Sequence, residues 1–225
     1  MEVPTRPLRD FLPLVLPHAQ YCPRPVAEQY LRLAAIEWCE RTRCWRHVST
    51  MDLTEQGEAI VSPDYATIFE IESAEFSSET VSSTELVATQ FTQISLSDAE
   101  AMEGNAPRYI TQVSPNSVTV LPFMVGSLSL SLFLKPRAGT EYGNDPADPL
   151  QDKYNVIPEH VFIQSAEKIA EGALARLLAI KDTKWHDPKM AGYYAGRFNE
   201  ACDRHFSSEL RGQQRAPRRS RPEFI

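Results

Sequence analysis

The chain has 225 residues, of which 42% are hydrophobic and 24% charged, the balance of a globular domain large enough to bury a sizeable core. A formal net charge of -7 disfavours tight, sequence-independent DNA binding by the body, and nine glycines leave little for Gly-rich phosphate loops. No run approaches the roughly 20 apolar residues of a membrane span, and the apolar stretch 11–18 is short and broken by proline, so no signal peptide is expected.

Residues 1–24 carry Pro4, Pro7, Pro13, Pro17 and Pro23 and read as an extended N-terminal arm packed by Phe11, Leu14 and Val15. A helix is predicted from Pro25, a residue suited to the first helical turn, to about Arg43. Val26, Tyr30, Leu33, Ala34 and Trp38 form its apolar face, with Ala27 and Leu31 at the edge and Glu28, Arg32 and Arg43 opposite. Between 47 and 157 the pattern changes to short β-rich runs at 66–76, 84–91, 108–114, 117–123 and 127–136, divided by turn formers. The 108–114 and 117–123 runs, joined across Pro115-Asn116, read as a hairpin. In the last run Leu128, Leu130, Leu132 and Leu134 share one face, and Ser127, Ser129, Ser131 and Phe133 the other. Ser97 to Glu100 has capping-box spacing and predicts one helical turn. Residues 137–157, rich in Gly, Pro and Asp, predict a long loop of the kind that partners order.

Helical spacing returns at Pro158. Phe162, Ala166, Ile169, Ala170, Ala173, Leu174 and Leu177 make an apolar stripe, with Lys168, Glu171 and Ala175 opposite. Asp187-Pro188 reads as an N-cap and first helical residue. The helix that follows carries Tyr194, Phe198, Ala201, Cys202 and His205 on one face and is expected to stop near Gly212. The expected fold is therefore α+β: a three-helix body (25–46 and 158–210), an inserted small antiparallel β-sheet or sandwich with a long loop (47–157), and extended N- and C-terminal arms. The C-terminal arm, 211–225, holds Arg211, Arg215, Arg218, Arg219 and Arg221 and ends in Phe224 and Ile225. Gly212, Pro217 and Pro222 oppose a stable helix there, so the arm reads as a segment ordered by ion pairs and by insertion of its apolar tip into a partner.

Catalytic signatures such as GxGxxG, Walker A, GxSxG and HExxH do not occur, and neither an enzyme nor a cofactor is expected. Cys22, Cys39, Cys44 and His47 have a spacing loosely like that of metal ligands, but no CxxC pair exists, and a core role for the thiols is the preferred reading. Four cysteines without a secretory signal point to free thiols in a reducing compartment. His160, His186 and His205 stand near helix ends, where they serve as dipole partners more often than as catalysts.

The order of segments is informative. Ala27 to Thr42, followed by Trp45, precedes the β region; Pro158-Glu159, then Gly172 to Leu178, Lys184 to Pro188 and a closing Tyr-Phe helix come after it. Over about residues 10–210 this arrangement resembles the head-to-tail adaptor family of tailed bacteriophages, also called head-completion, connector or tail tubular proteins. The resemblance implies a structural virion protein at the head–tail neck, assembled in the bacterial host cytoplasm. Such a protein forms a dodecameric ring that binds the portal protein on one side and a tail nozzle or neck protein on the other. Genomic DNA would pass through its channel without sequence-specific binding, and no membrane is involved. Portal binding would then fall to Arg211, Arg215, Arg218, Arg219, Arg221, Phe224 and Ile225. The helix faces bearing Glu28, Arg32, Lys168 and Glu171 would remain for subunit contacts. An acidic channel repels the DNA backbone and lets it slide. The competing readings are another neck or tail protein such as a terminator, and a soluble enzyme or nucleic-acid-binding module. Copy number in the particle separates them.

Overall fold

A computed structural model describes residues 4–54, 59–89, 106–137 and 155–213, with side chains to Ser207. The N-terminal segment is a folded corner, not an extended arm. Strand β1 (Thr5–Pro7) pairs antiparallel with β10 (Val156–Pro158), and a 3-10 turn (Leu8–Phe11) leads into the short helix α1 (Leu12–Val15). Pro13 lies in the first turn of α1, where its missing N–H costs nothing, so proline here starts a helix instead of prolonging a strand. Leu8, Phe11 and Val15 are buried, and the Phe11 ring meets Phe162 edge-on at 4.8 Å. Leu14, expected to pack, is instead 37% exposed.

Helix α2 (Arg24–Thr42) buries Ala27, Leu31, Ala34, Ala35, Trp38, Cys39 and Thr42. That arc is rotated from the expected face, leaving Leu33 44% exposed, because the alanines let α2 lie close to its neighbours on the Ala27–Ala35 side. Arg43 ends the helix in the left-handed region (φ 55°, ψ 28°), and its N–H donates to the Cys39 carbonyl.

The expected three-helix body with one small antiparallel sheet or sandwich is corrected: the β region holds two four-stranded sheets, one with a parallel pair, and a fourth helix and a two-stranded sheet join the body. The molecule is α+β with four α-helices and three sheets among the described residues. One sheet has the order β2 (Arg46–Leu53), β9 (Gly126–Pro136), β4 (Ala66–Ser77) and β5 (Thr84–Glu85). The other has β3 (Ala59–Ile60), β8 (Ser117–Leu121), β7 (Tyr109–Ser114) and β6 (Val87–Ala88). β6 and β7 run parallel; the other pairs are antiparallel. The run 84–91 read as one strand, but it breaks at Leu86. This buried residue's N–H donates to Ala74 O, while the next N–H, of Val87, donates to Arg108 O. The chain thus crosses from one sheet to the other within two residues, turning a corner between them.

The alternating strand β9 holds its register. Leu128, Leu130, Leu132 and Leu134 are all buried in the core. Ser127, Ser129 and Ser131 lie across from Asp52, Thr50 and Val48 of β2 and from Ser77, Glu75 and Ser73 of β4. The hairpin β7–β8 turns at Pro115-Asn116, as its sequence requires.

Helices α3 (Glu159–Leu177) and α4 (Pro188–Gln213) complete the body. Asp187 caps α4, its Oδ1 accepting the N–H groups of Lys189 (3.1 Å) and Met190 (3.0 Å). Helix α4 continues past the expected stop at Gly212 to Gln213. Trp38 sits at the meeting of α2 and α4, 6.0 Å from the Phe198 ring and 5.4 Å from His205. Gly172 of α3 lies beneath the same Phe198: a Cβ there would stand 2.6 Å from the ring. The loop expected at 137–157 ends as strand β10; residues 138–154, like the 97–100 capping box, lie outside the described residues.

Candidate assembly surface

The four residues expected on open subunit faces all have neighbours within the chain. Glu171 is the clearest correction. Its side chain is only 10% exposed and accepts Arg197 of α4 at 2.7 Å and Lys168 at 3.5 Å. Helix α3 is covered by α1, α2 and α4 together, so its buried arc is wider than one apolar stripe and takes in Glu171, one turn before Leu174. Arg32 donates through Nη2 to Asn155 Oδ1, and its Nε is buried with no hydrogen-bond partner. Glu28 is half-buried and engaged by another residue. Lys168, at the α3 surface, is more exposed than Glu171, its side chain being 32% accessible.

A second set of charges joins the helices to one another and to the first sheet. Glu37 of α2 is gripped by Arg41, one turn on, and by Arg176 of α3. Arg41 also reaches Asn199 and, at 2.9 Å, Asp203 of α4. Lys135 of β9 pairs with Glu40 at 2.6 Å, and Arg46 of β2 with Glu72 of β4 at 2.6 Å. Arg43, set by its left-handed turn, stands at the corner. It pairs with Glu70 at 2.8 Å and lies 5.6 Å from the ring centres of both Phe133 on β9 and Phe206 on α4. This contact places the C-terminal half of α4 beside the serine-bearing face of the first sheet.

Of the residues expected to bind the portal, Arg211 belongs to α4, and its side chain is not among those described. Arg215, Arg218, Arg219, Arg221, Phe224 and Ile225 lie outside the described residues.

Several apolar side chains on the helical body face solvent: Ile163 is 74% exposed, and Tyr21, Tyr193 and Leu14 are exposed as well. Leu14 also lines a cavity of about 320 Å³ together with His18, Glu167, Leu174, Tyr194 and Arg197. Apolar groups beside a shallow, charge-rimmed recess suit protein contact. The sequence signal for this surface is faint, because Ile163 and Leu14 fall within apolar-rich runs whose buried side only packing reveals.

The thiols are core groups. Cys22, Cys39 and Cys202 are buried, and all four cysteines are free. A hydrogen bond with Cys44, then burial, holds the Cys39 pKa well above the ordinary thiol range. Burial pushes Cys202 up to about 12, so it stays protonated at neutral pH. Among the described residues no group of three or more His, Cys, Asp or Glu side chains is placed to hold a metal ion. No described helix is long and apolar enough to cross a membrane. In comparison with known proteins, no family model matches the chain, and no curated protein matches it significantly.

Proposed function

We propose that the chain is a structural subunit of a tailed-phage head-to-tail adaptor, a ring that joins the portal to the tail or nozzle and leaves a channel for DNA. The reading rests on the resemblance in segment order. The single observation that carries it furthest is the exit of the chain from the body. Helix α4 runs past Phe206 and Arg43 to Gln213 and hands on directly to the sequence QRAPRRSRPEFI. A helix followed in sequence by a cationic, proline-containing segment suits reaching a neighbouring protein, with arginines suited to carboxylates and an apolar tip suited to a pocket. With the helical charges paired within the chain, exposed apolar side chains of the body such as Ile163, Leu14, Leu33, Tyr21 and Tyr193 are candidates for contacts between ring subunits. The net charge of -7 suits a channel that does not retain DNA.

Completion of DNA-filled heads tests the reading. The full chain should bind isolated heads and retain their DNA. A chain ending at Gln213 should fold and fail to bind. Normal completion by the shortened chain would remove the arm from the portal interface.

A further inference from the structure

One face of the first sheet is buried near α4, where Phe133 lies under Arg43, but toward Ser127 it has no covering element among the described residues. β9 contributes Ser127 and Ser129, with the buried Ser131 and Phe133 at the end nearest α4; β2 contributes the exposed Val48, then Thr50 and Asp52 beside the open serines. β4 adds Glu70, Glu72 and Glu75. Two of these are already answered by arginine: Glu70 by Arg43 and Glu72 by Arg46, both approaching from the α4 end. The ladder then stops. Glu75 lies directly opposite Glu85 of β5 in the register. Like charges facing each other across an antiparallel pair are destabilising. Glu75 accepts only the Ser83 hydroxyl, and neither carboxylate forms an ion pair among the described residues.

Helix α4 passes the buried end of this face. Arg43 ties Phe206 of α4 to Phe133 and Glu70, so the helix ends close to where the two existing arginine–glutamate pairs begin. From Phe206 to Gln213 is about 10 Å of helix. The twelve residues that follow span up to about 40 Å when extended, and β9 from Phe133 to Ser127 is only about 20 Å long. Those twelve residues contain Arg215, Arg218, Arg219 and Arg221, and Pro217 and Pro222 favour an extended path.

We propose that this hydroxyl–carboxylate face is the resting site of the chain's own C-terminal arm, with arginine guanidiniums continuing the ladder over Glu75 and Glu85. A guanidinium between the two carboxylates removes their repulsion and makes charge-assisted hydrogen bonds. The Ser127 and Ser129 hydroxyls offer both donors and acceptors to an extended backbone, whereas the buried Ser131 is already held by Arg46 and Glu72. Tethering gives the arm a high effective concentration at this face, so a partner must offer better carboxylate geometry to draw it off. The inference does not depend on the adaptor reading, because it concerns the isolated chain.

The test places the photo-crosslinker p-benzoyl-phenylalanine at position 220 of the full chain, in place of Ser220, with no other protein present. Equal amounts of 14N- and 15N-labelled chain are mixed in dilute solution, irradiated and mapped by mass spectrometry. Single-isotope crosslinks to residues 72–77, 84–85 or 127–131 are expected. Their yield should fall about fivefold or more in Glu75→Lys/Glu85→Lys, and again in 0.5 M salt, where exposed pairs are screened. Arg218→Ser/Arg219→Ser/Arg221→Ser leaves the sheet untouched and should lose the same crosslinks. Crosslinks elsewhere, none at all, or yields indifferent to both sets of charge changes would overturn the proposal. Mixed-isotope crosslinks would assign the site to the arm of a second copy and overturn the own-chain assignment.

Discussion

Gly172 is where the packing of the helical body can be weighed most sharply. It sits in the middle of α3, where alanine would ordinarily stabilise the helix by about 1 kcal/mol. A Cβ at this position, however, would meet Phe198 at 2.6, 2.7 and 3.0 Å. The ring cannot easily yield: it is buried, with Trp38 at 6.0 Å and the Arg176 guanidinium at 5.8 Å. Overpacking of this kind costs about 1–3 kcal/mol, so it offsets or exceeds the propensity gain. Gly196, on the exposed side of α4, has nothing within 4 Å of its would-be Cβ and serves as the control. Gly196→Ala should gain up to about 1 kcal/mol, and Gly172→Ala should fall below it by about 1–3 kcal/mol. For a chain of this size that is about 2–4 °C in Tm per kcal/mol. Urea denaturation followed by circular dichroism gives the comparison as a change in midpoint at constant slope. Phe198→Leu should cost less in the Gly172→Ala background than in the wild type, as expected for residues in contact. Equal gains in the two glycine variants would refute the close approach of α3 and α4.

Other outcomes follow from the same geometry. Leu174→Ala, at a fully buried position, should destabilise the chain by about 2–5 kcal/mol in the same urea assay. Glu171→Ala and Arg197→Ala should be more strongly coupled in a double-mutant cycle than Glu200→Ala with Arg204→Ala, because Glu171 is nearly buried and both members of the second pair are exposed. Charge reversal at Lys168 and Glu171 together should therefore lower the melting temperature of the monomer, not only perturb assembly. Cys202, lifted from the ordinary 9.0 to about 12, binds its proton more tightly in the folded state. Its contribution to stability is complete below pH 9 and is lost as pH rises from 9 toward 12, so thermal scans across that range should show falling Tm. Cys202→Ala should flatten part of that fall.

What the sequence made legible was local. Asp187-Pro188 announced the start of α4 because a cap needs only its own next turn. Pro115-Asn116 announced the hairpin, and the Leu/Ser alternation of 127–134 told which side of β9 would be buried. What it hid was non-local. Nothing near Glu171 in the chain signals that Arg197 will stand across from it, so a charge opposite an apolar stripe read as solvated. The prolines of the N-terminal segment read as extended because each fixes φ. Only the burial of Leu8, Phe11 and Val15 and the pairing of β1 with β10 turn that segment into part of the core. The break at Leu86 is likewise a property of two sheets meeting, invisible in a β-rich run. The face carrying Glu75 and Glu85 was half visible: the serines of β9 were evident, but the carboxylates beside them come from strands more than forty residues away in the chain.

The measurement that bears most directly on the adaptor reading is the number of copies of this chain in purified phage particles, counted by quantitative mass spectrometry against the portal protein. A closed ring docked on the portal predicts about twelve copies per particle. A chain missing from particles, or present in numbers far from those of a single ring, would contradict the account.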